Sequence, residues 1–174
     1  MKTNIHADIP VTKCFIKESF LFNGNKTKTA WIPCKIYAIS SYIGNVPTFK
    51  ILLDNGSLFD YIPIHALTTS PENVLEQYSL SDLCYFNCKD DEIVVNVHKA
   101  LTNKVINCYL KYKNVWESGA YICTIDWFRD NENCHLVSLT NGQFMLIPNH
   151  KCVVGAKTSK VLNSYEKIED KWIL

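Results

Sequence analysis

The sequence predicts a mainly β protein, two tandem divergent copies of a small curled sheet or barrel of SH3-like or OB-like size, with a short connector helix and a C-terminal helix. Three observations predict it. Shifting the chain by 86 residues lays residues 36–56 on residues 122–142. Ile36, Ile39, Asn45, Leu53, Asn55 and Gly56 then meet Ile122, Ile125, Asn131, Leu139, Asn141 and Gly142. An Asn-Gly pair separates apolar runs in both segments, which is the strongest short hairpin signal. Both segments leave through Ile-Pro-x-His, at residues 62–65 and 147–150. The expected units are residues 10–67 and 104–155, a connector over 68–103 and a helix over 156–174.

The first strand of each copy is Cys14-Phe15-Ile16-Lys17, resembled by Cys108-Tyr109-Leu110-Lys111, with an insertion near residues 23–29 in the first copy. A second strand carries aromatics near its end. In the third, Phe49, Ile51 and Leu53 alternate with Lys50, Leu52 and Asp54, and His135, Val137 and Leu139 hold the equivalent face. The Asn-Gly pair predicts a type I′ turn, with positive φ at both central residues. The match then slips by a single residue before Ile-Pro. One extra residue in the first copy is what a β-bulge produces. Pro63 and Pro148 cannot donate to a ladder, so each should end a strand or sit at an edge.

Ser70-Pro71-Glu72 opens the connector helix, with Ser as N-cap and Pro at the first helical position. Val74, Leu75 and Tyr78 form its apolar face. Residues 92–101 read as a strand that closes the first barrel or pairs across the junction. In the tail, Val161, Tyr165, Ile168 and Trp172 recur at helical spacing. Each copy alone lies near the lower limit of independent stability, so the two are expected to pack into one body.

Composition narrows the function classes. The 18 basic and 17 acidic residues leave a net charge of +1, and Arg129 is the only arginine. That argues against sequence-specific DNA readout, which favours arginine. Abundant Asn, Ile, Lys and Tyr imply A/T-rich codons and fit a phage or viral genome. The start, MKTNIHADIP, has no apolar core of a signal peptide, and no run approaches a membrane span. The expectation is a cytoplasmic protein, in host cytoplasm or a virion if viral, with no membrane partner. Its eight cysteines then read as reduced, buried thiols.

No catalytic or cofactor motif is present, and no cofactor is expected. Cys84 and Cys88 lack the second ligand pair of a structural zinc site, so no metal is expected. Aromatic residues make up 12% of the chain; core packing must claim most of them, and at least two are expected to remain exposed on one face, which directs attention to binding. The candidate binding residues are Trp31, Tyr42, Tyr61, His65, Trp127, Phe128, His150 and Trp172. His65 and His150 occupy equivalent repeat positions, which favours a shared structural role. The leading expectation is a non-enzymatic adaptor that engages a protein partner or itself. The alternative is a nucleotide or single-stranded nucleic acid held between the repeats, by aromatics with Lys50, Lys111, Lys113 and Lys151. An enzyme whose site gathers distant Cys, His and acidic residues is the third reading.

Overall fold

The apolar runs around both Asn-Gly turns fold as antiparallel hairpins, and each hairpin is the middle of a sheet. The structure is a computed structural model that describes residues 2–21, 30–43, 46–73, 93–110, 115–127 and 133–165. The first sheet contains β1 (Lys2–Lys17), β2 (Trp31–Ile43), β3 (Val46–Leu53), β4 (Leu58–Pro63) and β5 (Leu67–Thr68), in the order β4-β3-β2-β1-β5. The second contains β6 (Ile93–Asn96), β7 (Val105–Leu110), β8 (Val115–Trp127), β9 (Asn133–Leu139), β10 (Phe144–Pro148) and β11 (Val153–Val154). Its order is β10-β9-β8-β7-β11, with β6 also paired to β8. Strands hold 65% of the described residues, so the protein is mainly β, and one sheet curls into a half-barrel. A short helix, α1 (Ser159–Tyr165), follows β11.

The strand orders of the two sheets match, but β2 and β8 sit one residue off the 86-residue shift: Ile39 faces Phe49, whereas Thr124 faces His135 and Ile125 faces Cys134. Phe49 pairs with Ile62 and Thr48 with Pro63; His135 pairs with Ile147 and Cys134 with Pro148. Phe15 faces Thr68 as Asn107 faces Val153. Between β3 and β4 the register shifts, because three steps on β4 span two on β3, from Phe49/Ile62 to Ile51/Phe59. This is the bulge that the one-residue slip predicts, and the β9–β10 ladder runs without one. Both prolines end their strands, and a single 3-10 turn follows each, at Ile64–Ala66 and Asn149–Lys151.

Four details differ from the sequence reading. Only Gly56 and Gly142 have positive φ in the hairpin turns, at 91° and 98°. The loops are therefore three residues long, a type I turn closed by a left-handed glycine, rather than type I′. Asn55 and Asn141 act through their side chains, each accepting a hydrogen bond from the backbone N–H two residues on, at 2.9 Å. The strand within residues 92–101 stops at Asn96 and belongs to the second sheet. β6 and β7 flank the two halves of β8, as the two halves of the unbroken β1 flank β2. The turn over residues 98–104 stands where β1 only shifts register, between Asp8 and Thr12 around Pro10.

The third difference concerns the first strands. The ladder sets Cys14 opposite Cys34 and Ile106 opposite Gly119, so the counterpart of Cys14 is Ile106 and not Cys108. The fourth concerns the tail. α1 buries Leu162 against Val153, beside Tyr109 and Trp116, and leaves Val161 exposed. Thr158 caps it, its Oγ1 accepting from the Val161 N–H at 3.3 Å. Ser70 Oγ donates to Glu72 at 3.0 Å where the connector begins, and residues 71–73 form a 3-10 turn. The remainder of the predicted connector helix, Cys84, Cys88 and residues 166–174 lie outside the described residues.

The main core lies between the sheets. Ile16, Ile36, Ile39, Phe49 and Ile51 of the first sheet share one apolar cluster with Ile122, Ile125, Leu136, Phe144 and Leu146 of the second. A second cluster, with Ile106, Val137, Leu139 and Met145, occupies the opposite face of the second sheet. At the rim the sheets are tied by hydrogen bonds. The Thr69 N–H and the Thr68 hydroxyl both donate to the Gly142 carbonyl, at 2.7 and 2.8 Å.

Candidate functional site

Of the predicted binding residues, three have described side chains. Trp31 opens β2 directly across from Lys17 and is half-buried. His65, in the 3-10 turn after β4, packs edge-on against Phe20 with ring centroids 5.3 Å apart. Burial, followed by the nearby Lys17, lowers its pKa below the ordinary histidine value. Trp31, His65 and Phe20 thus gather around Lys17. Tyr61 stands apart from this arrangement, in the β4 bulge. Tyr42, Trp127 and His150 are placed by their backbone only, and Phe128 and Trp172 lie outside the described residues.

Among the described residues β4 pairs only with β3 and forms an edge of the first sheet, and its exposure sets it apart. Leu58 is 65% exposed and Tyr61 is 41% exposed. Every residue of its counterpart β10 is buried. Tyr61 has φ of 60°, a conformation that costs a non-glycine residue about 1–2 kcal/mol. Its N–H is held by the Asp60 carboxylate at 2.7 Å, and Asp60 also reaches Lys50 at 3.9 Å. The bulge turns Tyr61 outward and breaks the regular edge that would invite another strand.

Sequence reasoning missed two other constellations. The first is a buried polar chain in the second sheet. His135 Nε2 lies 2.9 Å from Asn149 Oδ1, and Nδ1 lies 2.9 Å from Thr124 Oγ1. An amide oxygen only accepts, so the ring proton is on Nε2 and Thr124 donates to Nδ1. Thr124 in turn accepts from the Tyr121 hydroxyl, which accepts from the His98 N–H at 3.1 Å. Every proton has an acceptor with the ring neutral. Burial favours the same state, lowering the His135 pKa against the opposing effect of the hydrogen bond that the ring donates to Asn149. The ladder counterparts of Thr124 and His135 are Ile39 and Phe49, both apolar.

The second is the Cys14–Cys34 pair, whose Sγ atoms are 3.5 Å apart. Both residues line a cleft of about 410 Å³ together with Lys13, Lys35, Asp54 and Thr69. The hydrogen bond with Cys34 and burial push the Cys14 thiol far above its ordinary pKa. All six described cysteines are buried.

No protein-family model matches the chain. No curated protein and no solved structure matches it either. The geometry is therefore the ground for a functional reading. Among the described residues no helix is long and apolar enough to cross a membrane.

Proposed function

We propose that the chain is a non-enzymatic binding protein built on a duplicated β unit, and that it engages a protein partner through the β4 edge of its first sheet. The single observation that carries this is Tyr61, strained and exposed beside Leu58 on β4. The second sheet shows that the scaffold does not need this device, since β10 pairs with β9 without a bulge. A costly backbone conformation at a partly exposed aromatic residue supports a contact role. The bulge favours docking by side chains into a partner's apolar pocket over extension of the ladder. The matched strand orders support the duplication, and divergence at β4 and β10 then separates a binding edge from a buried one. The buried cysteines fit a reducing, intracellular setting.

The test is site-specific photo-crosslinking. A benzophenone amino acid is placed at residue 58, at residue 61 and, as control, at residue 161 on the exposed side of α1. The expected result is one dominant protein adduct from residues 58 and 61, absent at residue 161. Tyr61→Gly relieves the positive φ and should keep stability within about 1 kcal/mol of the parent while losing the adduct. Equal, weak labelling at all three positions sinks the proposal.

A further inference from the structure

Cys14 and Cys34 are direct cross-strand partners in the β1–β2 ladder. Directly opposed residues of antiparallel strands have Cα atoms about 4.5 or 5.5 Å apart, and both values fall inside the disulfide range. The sulfurs stand 3.5 Å apart, so closing to a bond of about 2.05 Å is a side-chain rotation and not a rearrangement of strands. The pair is no requirement of the scaffold, because Ile106 and Gly119 hold the equivalent ladder positions in the second sheet. It also differs from the other described cysteines. Cys108, Cys123, Cys134 and Cys152 have no exposed surface, whereas Cys14 and Cys34 keep 3% and line a cleft large enough for a small molecule. Lys13, Lys35 and Asp54 line the same cleft, two cationic groups against one carboxylate, a net balance that favours an anionic reagent.

We propose that Cys14 and Cys34 form a reversible thiol–disulfide couple that exchanges with a small anionic disulfide of the glutathione class. One thiol of the pair loses its proton, a step that burial slows and alkaline buffer speeds, and attacks a sulfur of the oxidised tripeptide, forming a mixed disulfide and releasing one reduced tripeptide. The second thiol attacks the protein sulfur of that mixed disulfide, which forms the Cys14–Cys34 bond and releases the second. The protein loses two electrons and two protons, and both appear in the two tripeptide thiols. The product staples β1 to β2 and closes the loop between residues 14 and 34.

The experiment equilibrates the full chain in buffers spanning reduced to oxidised glutathione, quenches with acid, alkylates after denaturation and maps peptides by mass spectrometry. The expected result is a species that has lost two of its eight alkylatable thiols, with residues 14 and 34 in one linked peptide pair. Its melting midpoint should rise by roughly 5–10 °C and return to the reduced value with dithiothreitol. Cys34→Ser should stop at a glutathione adduct on Cys14 and show no linked pair. The wild-type peptide map stands even if that variant fails to fold. Absence of the linked pair in fully oxidising buffer, or its appearance only after denaturation, overturns the proposal.

Discussion

At His135 a single side chain decides the character of a whole face. Phe49, its ladder counterpart, fills the shared core, whereas His135 organises Asn149, Thr124 and Tyr121 into one chain of hydrogen bonds. His135→Phe leaves Thr124 without its acceptor in a buried site and should cost about 1–3 kcal/mol. Adding Thr124→Ile removes the orphaned hydroxyl and recreates the Ile39–Phe49 pair, so the double variant should recover most of the loss. Urea titrations of the parent, both single variants and the double variant measure this, and additive losses would show that the two residues are not coupled. The pH dependence has a definite sign. The folded pKa of His135 lies below its unfolded value, so the unfolded state binds the proton more readily. Stability from this residue is full above the unfolded value of about 6.5 and is lost as pH falls through the folded value. His65 acts in the same direction. The urea midpoint should therefore drop between pH 7.5 and pH 5.5, and less so in the double variant.

The hairpins show how far an element can be read from its own residues. Asn-Gly, Ile-Pro and the one-residue slip are local signals, and each marks its turn, strand end or bulge. The turn type was not legible, because Asn uses its side chain instead of a positive φ to close the loop. The pairing of β1 with β2 was not legible either, and with it went the Cys14–Cys34 pair, since register across a long loop is set by tertiary packing. In β9 the alternation that normally marks the inner face disappears, because consecutive residues 134–137 are all buried, on two different cores. The strained Tyr61 has no sequence signature beyond the slip itself. The two turn glycines carry an element-scale prediction. Gly56→Ala meets nothing within 4 Å and pays only for its positive φ, about 1 kcal/mol. Gly142→Ala pays the same and also drives its Cβ to 2.6 Å from Thr68 Oγ1 and 2.9 Å from the Ser70 carbonyl. It should lose at least about 1 kcal/mol more than Gly56→Ala in thermal or urea unfolding.

Across the whole molecule, the shared cluster makes the two sheets one cooperative unit. Ile125 lies in the second sheet, is completely buried and packs in the cluster that holds Ile36 and Phe49. Ile125→Ala should cost about 2–5 kcal/mol. Hydrogen exchange should show the loss in β2 and β3 amides as much as in β8 and β9. Protection lost only in the second sheet would mean that the sheets unfold separately.

The Thr68–Gly142 clasp and the shared core also impose an order on biosynthesis. Once Asn73 has left the ribosome, β1 to β5 are present, but Phe49, Ile36 and Ile39 have no opposing layer until β8 to β10 emerge. For that interval the nascent chain presents an apolar sheet surface with an open edge, the kind of species that aggregates or recruits chaperones. Slower elongation through the connector would lengthen the exposure. The yield of folded protein in a cell thus depends on how soon the second half arrives as well as on the stability of the finished fold.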